Sequence, residues 1–458
     1  MVKKMTKYTL LLASVPLLLT ACNKASKDAD PVTEVKEAKD VKEAAESVKD
    51  WTQEEFEVIF FANNAQTQEE IDFWFGDPIR KKFPKVKFVW LPTSPGNMLP
   101  EMLAAGQKFD VFFTTRGTYE QLLYMYDLQY DMTELVKAHQ VDLSRIEPVL
   151  MEEVRRTSDG KLYMLPVQNN IQVLFYNKDL FDRFGVEYPR DGMTWDEMLS
   201  LSKKLTRKEG DKLYFGFSNQ GALQVMKMNP MSLVKVDPAT NKVAINQDPR
   251  WKTMLELFFV APYHGSDVFQ EYFKNNSAPP GFTQFYKDQS TAMTTYIASL
   301  LGQAYIDSFL SGFNWDIVSH PTLPGLPNIG TQPDPIYIGM TKLTRNKDAT
   351  MAVIKYLVSD EYQTMMARQA NMTVLKDPEI QKQTGADIQR SGVGKNYAAL
   401  YKNQFAPMAP IVPKVDLNVT ADLTRFANRL AKGEIDVNTM LRQAEEEIQK
   451  RIDEELRR

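Results

Sequence analysis

One cysteine and three histidines make up the whole thiol and imidazole inventory of this 458-residue chain: Cys22, His139, His264 and His320. A single cysteine excludes an intrachain disulfide and a cysteine-based metal cage. Three scattered histidines leave little material for imidazole catalysis. No His-Glu-x-x-His helix or EF-hand loop occurs, so neither a metal nor a cofactor is expected. Gly216-Phe217-Ser218-Asn219-Gln220 narrowly misses the Gly-x-Ser-x-Gly nucleophile elbow. Gly392-Val393-Gly394-Lys395 lacks the upstream glycine of a phosphate-cradling loop. Two carboxylates can still pair as an acid and base, because their separation in space is invisible in sequence. What the chain holds in quantity is non-covalent recognition chemistry: amides, arginines and flat rings, with 6 Trp and 19 Tyr in an aromatic share of 11%. Amide and guanidinium forks match hydroxyls and carboxylates, and rings offer platforms.

The rest of the composition agrees with a large soluble binding protein. A hydrophobic share of 43% beside 25% charged residues excludes wholesale disorder and a polytopic membrane protein. A formal net charge of -4 gives no basic field for nucleic acid. The N-terminus reads as an address. Lys3, Lys4 and Lys7 precede an apolar run over 8–19, broken by Ser14 and Pro16 and too short for a comfortable membrane span. It ends Leu19-Thr20-Ala21-Cys22, which resembles the lipobox of bacterial lipoproteins. That resemblance implies a signal peptide over 1–21, a diacylglycerol on Cys22, and a place on the extracellular face of the bacterial cell membrane. Two acyl chains suffice for stable anchoring. Residues 23–50, rich in Lys, Glu, Asp and Ala, bury little; 22–50 is expected to be a lipidated cysteine with a flexible tether.

The remainder alternates short apolar runs with helical periodicity. Strands are expected over 57–62, 86–91 and 109–114, and helices over 68–83, 98–105 and 119–125. Such alternation argues for a parallel α/β sheet. In open α/β sheets ligands sit outside the carboxyl ends of the strands. That rule selects Asn63, Asn64, Gln66 and Thr67 after the first strand, and Thr115, Arg116 and Gly117 after the third. Helix capping and turn chemistry account for the same residues equally well. The C-terminal stripe Met440, Leu441, Ala444, Ile448, Ile452 and Leu456 is expected to pack on its own lobe.

Gly160-Lys161-Leu162-Tyr163-Met164-Leu165-Pro166 is followed by Leu174-Phe175-Tyr176-Asn177-Lys178-Asp179-Leu180-Phe181, Phe184-Gly185-Val186 and Thr194-Trp195-Asp196-Glu197-Met198. This order resembles the family 1 extracellular solute-binding proteins of ABC importers, to which maltose-binding proteins belong. Ser290-Thr291-Ala292-Met293-Thr294, Asn314-Trp315-Asp316-Ile317-Val318 with Pro321 and Pro324, Ile336-Tyr337-Ile338-Gly339-Met340, Asn346-Lys347-Asp348-Ala349 and Gly433-Glu434-Ile435-Asp436-Val437 extend the resemblance from about 57 to 451. It implies an α/β, two-lobed, periplasmic-binding-protein-like fold with several interlobe crossings and a ligand cleft. The first lobe would take 51–167 plus 336–375 and the second 168–335 plus 376–458, with crossings near 169–171, 333–337 and 376.

The resemblance also implies a role: a monomeric protein, not an enzyme, that captures a carbohydrate (an oligosaccharide) and delivers it by hinge closure to ABC permease transmembrane subunits and their ATPase. Sugars present hydroxyl edges and apolar C–H faces, so the cleft needs forked polar groups and rings. The candidates are Asn63, Gln66, Thr115, Arg116, Gln168, Asn169, Asn170, Asn219, Gln220, Tyr296 and Tyr337. Hinge hydrogen bonding is the competing role for 168–170, and a surface turn for 218–220. Trp90 and Tyr305 are further platform candidates, whereas Trp195 and Trp315 read as core. Arg116 could fork onto an acidic sugar. A surface receptor feeding a sensor kinase and a secreted glycosidase-like enzyme remain as alternative readings.

Overall fold

The computed structural model describes residues 49–457 apart from 63–65, 97, 159 and 220. The expected signal peptide, Cys22 and all but the last two residues of the tether therefore lie outside the described residues, as do Asn63, Asn64 and Gln220. Among the described residues twelve strands form: β1 Phe56–Phe61, β2 Val86–Leu91, β3 Val111–Thr115, β4 Leu165–Gln168, β5 Gln172–Asn177, β6 Arg207–Glu209, β7 Lys212–Asn219, β8 Val236–Asp237, β9 Lys242–Val243, β10 Thr291–Ile297, β11 Trp315–Val318 and β12 Ile336–Met340. The expected strands over 57–62, 86–91 and 109–114 correspond to β1, β2 and β3 within two residues. The helix expected over 68–83 begins at Thr67, whose side chain accepts from the Glu70 amide in a capping box. It runs through a wide turn at Asp72–Gly76 before ending at Asp77–Lys82.

Two five-stranded sheets carry the fold, in the orders β2-β1-β3-β12-β4 and β11-β5-β10-β7-β6. In the first, β1 is parallel to β2 and β3, while β12 runs antiparallel to β3 and β4. The sheet is thus mixed rather than parallel throughout. The segment that returns from the second sheet inserts as β12, which local periodicity does not reveal. In the second, β10 is parallel to β7 and antiparallel to β5. All six residues of β5 are buried, as a central strand covered on both faces requires. Its alternation splits the interior. Leu174 and Tyr176 join the cluster that contains Trp195 and Trp251, whereas Val173 and Phe175 join the cluster that contains Trp315 and Leu400. Trp195 and Trp315 are both fully buried, as the sequence suggests.

Gly216 on β7 passes close beneath the helix Trp195–Leu205, where a Cβ would overlap the Ser202 carbonyl. This glycine serves helix–sheet packing, and Ser218 two residues on is buried with its hydroxyl 3.4 Å from that of Thr294. Of the C-terminal stripe, Met440, Leu441, Ala444, Ile448 and Ile452 are buried in the second-sheet cluster, while Leu456 at the helix end is exposed. The expectation that 376–458 belongs wholly to the second lobe needs correction. Ile380 and Met408 pack into the first-sheet cluster, and Arg156 donates to the carbonyl oxygen of Met408 at 2.8 Å. The chain therefore touches the first lobe again near 408, just before the helix Pro413–Ala431.

Candidate functional site

Register places the candidate residues along two sheet edges. In the first sheet Ile336 pairs with both Thr115 and Gln168, and Phe61 pairs with Phe112. Thr115, Gln168 and the residues that follow Phe61 therefore share the carboxyl edge of β1, β3 and β4. In the second sheet Ile297 pairs with Gln172, and Thr295 pairs with Asn219. The end of β7, the end of β10 and the start of β5 thus share one edge. Only 169–171 separate β4 from β5, so a three-residue crossing joins the two edges.

At that crossing the three successive amides are engaged in a polar hub. Gln168 donates to the Asn371 side chain at 2.7 Å. Asn169 is buried; its backbone N–H donates to Met372, and its own Oδ1 accepts the Asn170 N–H at 2.8 Å. The Asn169 Nδ2 has no hydrogen-bond partner among the described residues. Asn170 meets Ser299 beyond β10, and its carbonyl accepts the N–H of Asp334 at 2.9 Å. Asp334 in turn pairs with Lys227 at 2.7 Å, and the Thr331 hydroxyl accepts the Gln172 N–H. A buried amide left with a free donor and a short crossing with fixed geometry are what a ligand-binding hinge supplies.

The other candidates divide. Gln66 is half-buried, with an Oε1 that has no partner among the described residues. Thr115 occupies the cap position of the helix Arg116–Met125 without spending its hydroxyl on the cap; Arg116 opens that helix. Tyr296 is half-buried, with its ring centroid 4.2 Å from that of Phe282; burial raises its hydroxyl pKa. One candidate is corrected: Tyr337 is 0% exposed within the first-sheet core, so its ring offers no platform. Asn219 is buried; its Nδ2 donates to the Phe258 carbonyl and the Tyr263 hydroxyl, and its Oδ1 has no partner among the described residues. Trp90 likewise packs on Phe113 in the core. Among the described residues no cluster of three or more His, Cys, Asp or Glu could hold a metal ion. No helix there is long and apolar enough to cross a membrane.

The sequence profile of the bacterial extracellular solute-binding proteins matches residues 64–364, well over half the chain, including every strand after β1. The chain belongs to that family. Solved structures that this solute-binding protein resembles share its two-lobed fold. A sugar transporter from Rhizobium etli in an open conformation aligns with a TM-score of 0.67 at 19% identity, covering 86% of this chain and 99% of that one. An ABC substrate-binding protein from Listeria monocytogenes in complex with cycloalternan aligns at 0.67 and 18%, covering 87% and 100%. The sugar-binding protein MalE of Xanthomonas citri aligns at 0.63 and 16%, covering 87% and 98%. At these identities the likeness is one of fold. A segment of 63 residues is 36% identical to curated binding-protein sequences of Brucella abortus and Brucella suis, spanning 14% of this chain and 14% of theirs.

Sequence reasoning missed the residues that hold this solute-binding protein's crossings in place. Gln363 is 1% exposed; its Nε2 donates to the Val167 and Leu357 carbonyls and its Oε1 accepts from the Val374 N–H and the Thr373 hydroxyl. Gln332 links the Asn229 carbonyl to the Ala409 N–H. Ser299, Asn371 and Asp334 complete the hub. A helical glutamine in an otherwise apolar face was the available signal for Gln363; the others carry none.

Proposed function

We propose that this solute-binding protein captures a carbohydrate, an oligosaccharide, between its two sheet edges and delivers it by hinge closure to the permease subunits of an ABC importer. The observation that carries the reading is the crossing 169–171: it sets an amide-rich hub between the carboxyl edge of one sheet and the facing edge of the other. Gln66, Thr115, Arg116, Gln168, Asn169, Asn170 and Tyr296 are the contacts we assign among the described residues, together with Asn63 and Gln220, which lie outside them. Amides fork onto vicinal hydroxyls, and a half-buried tyrosine covers a C–H face. Binding at both edges favours the closed arrangement because only there are both sets of contacts made. Cys22, acylated, would hold the protein at the outer face of the membrane as a monomer, so that the loaded form meets the permease and its ATPase by diffusion in two dimensions. Family membership and the sugar-binding character of the structural neighbours support this reading. The test is a thermal-shift screen of the full chain against neutral, acidic and cyclic oligosaccharides, followed by calorimetry. A true ligand at 100 times its dissociation constant adds about 2.7 kcal/mol of stability. If no saccharide shifts the melt while another solute class does, the carbohydrate assignment is wrong.

A further inference from the structure

Glu70 and Tyr305 lie 235 residues apart, on different sheets' loops, and are joined by a hydrogen bond. Glu70 sits in the first turn of the helix Gln68–Ile71, directly after the loop that leaves β1. Tyr305 ends the short helix Gln303–Tyr305, after the loop that leaves β10. The Tyr305 hydroxyl donates to Glu70 Oε1 at 2.8 Å. The same carboxylate accepts the Thr67 N–H through Oε2 at 2.9 Å. One oxygen therefore caps the first-lobe loop while the other holds the second lobe.

The place of this bond in the fold gives it a role. The crossings leave the first sheet from β4 and β12, at one edge. Going inward, β1 stands three strands from β4, about 14 Å at ordinary strand spacing. The two lobes are thus joined covalently at the hinge edge and also non-covalently beyond β1, with the amide hub on the hinge side and the candidate Gln66 on the loop that leads into Glu70. The tyrosine is built to stay in position. Its ring stacks on Phe309 at 11° between planes. Burial, with the Glu70 bond behind it, pushes its hydroxyl pKa up to about 12, so the donor proton is in place at neutral pH. The acceptor is fixed from behind by the capping box.

We propose that Glu70 and Tyr305 form a latch across the cleft, a pair of positioning residues that favours the closed arrangement before any ligand contributes. The inference deepens the binding role assigned above. Its test requires no ligand, so it can fail while the carbohydrate reading stands, and the converse. A latch of this kind raises apparent affinity by enlarging the fraction of molecules already competent to hold a ligand, and it slows entry for the same reason.

The experiment replaces the exposed Lys81 and Ser311 by the ketone-bearing residue p-acetylphenylalanine in the full chain, couples a hydroxylamine spin label to each ketone, and measures their distance distribution by pulsed electron resonance without added solute. Tyr305→Phe removes the hydroxyl and keeps the ring on Phe309. The short-distance population should fall about fivefold relative to the open one, the worth of one ordinary hydrogen bond. Glu70→Gln leaves one oxygen for two donors: with that oxygen on the Thr67 N–H, its Nε2 faces the Tyr305 hydroxyl, which can only accept from it, so the pair loses its charged acceptor and the distribution should shift in the same direction but less. Circular dichroism and melting close to wild type confirm that both variants fold. An unchanged distribution in Tyr305→Phe overturns the proposal. So does a shift in Tyr305→Phe that Glu70→Ala fails to reproduce, because the tyrosine would then act through another partner.

Discussion

The side-chain amide of Asn170 forks onto Ser299: its Oδ1 accepts the Ser299 backbone N–H at 3.1 Å, and its Nδ2 lies 3.4 Å from the Ser299 hydroxyl. One residue of the crossing thereby fixes the turn that follows β10, so hinge and candidate cleft share a part. Asn170→Ala leaves the half-buried Ser299 N–H without its acceptor. The expected cost is about 1–2 kcal/mol in urea denaturation, with roughly tenfold weaker affinity for whichever saccharide the thermal screen identifies. Wild-type values in both measurements would show that the fork contributes nothing.

Gly216 argues a purely steric case. Its φ is ordinary, so no conformational freedom is at stake, but β7 runs so close to the helix Trp195–Leu205 that a methyl group meets the Ser202 backbone. Backbone cannot rotate aside as a side chain can. Gly216→Ala should lower stability by about 1–3 kcal/mol, the range for overpacking a well-filled core, while Gly312→Ala meets only the tip of the Gln289 side chain, at 3.5 Å, and should cost little. If the Gly216 variant melts with the wild type, the helix and strand separate more easily than the structure implies.

How much of this was legible in the sequence depends on the range of the interaction. Strands β1 and β2 announce themselves because Phe56, Val58, Phe60 and their neighbours form apolar runs whose partners lie within 30 residues. The Thr194 and Glu197 capping box is local and equally visible. β12 is an apolar run too, yet its place between β3 and β4 is set by pairing across more than 160 residues, which periodicity does not encode. Tyr337 misled for the same reason. An alternating strand shows which residues share a face, not which face meets the core. Gln168 and its neighbours were found through their types, but Ser299, Asn371 and Asp334 are ordinary polar residues until the fold sets them beside the crossing. The amides of the crossing were readable by type, and the residues that hold them in place were not.

Gln363 offers the sharpest test of that scaffold. Both atoms of its amide are saturated, joining the end of β4 at Val167 to the 373–374 segment. Gln363→Met conserves volume and removes all of these bonds at once, orphaning buried backbone groups of both partners. A loss of about 3 kcal/mol or more is expected in denaturant titration. The same variant should also loosen the crossing, seen as faster amide exchange at Val374 than global unfolding accounts for. Protection unchanged at Val374 would place the hinge's rigidity elsewhere.

His320 ties stability to pH. Its ring is buried edge-to-face on Trp195, with centroids 5.5 Å apart. Its Nδ1 lies 3.0 Å from the Pro321 carbonyl oxygen; a carbonyl only accepts, so Nδ1 carries the proton of the neutral ring. Burial lowers the pKa from 6.5 to about 4. Between those values the unfolded chain binds a proton at this site and the folded chain does not. Stability from this group is therefore fully present above about pH 6.5 and is lost as pH falls toward 4, with a slope of up to about 1.4 kcal/mol per pH unit. The buried carboxylates Asp110 and Glu147, whose pKa values burial raises, act in the opposite direction over part of the same range. The measurement is thus a difference between two proteins rather than a single curve. His320→Phe should flatten the dependence of unfolding free energy on pH between 4.5 and 6.5 by up to one proton's worth, leaving the carboxylate contribution in place. Parallel curves for variant and wild type across that range would mean that His320 is charged in the folded state.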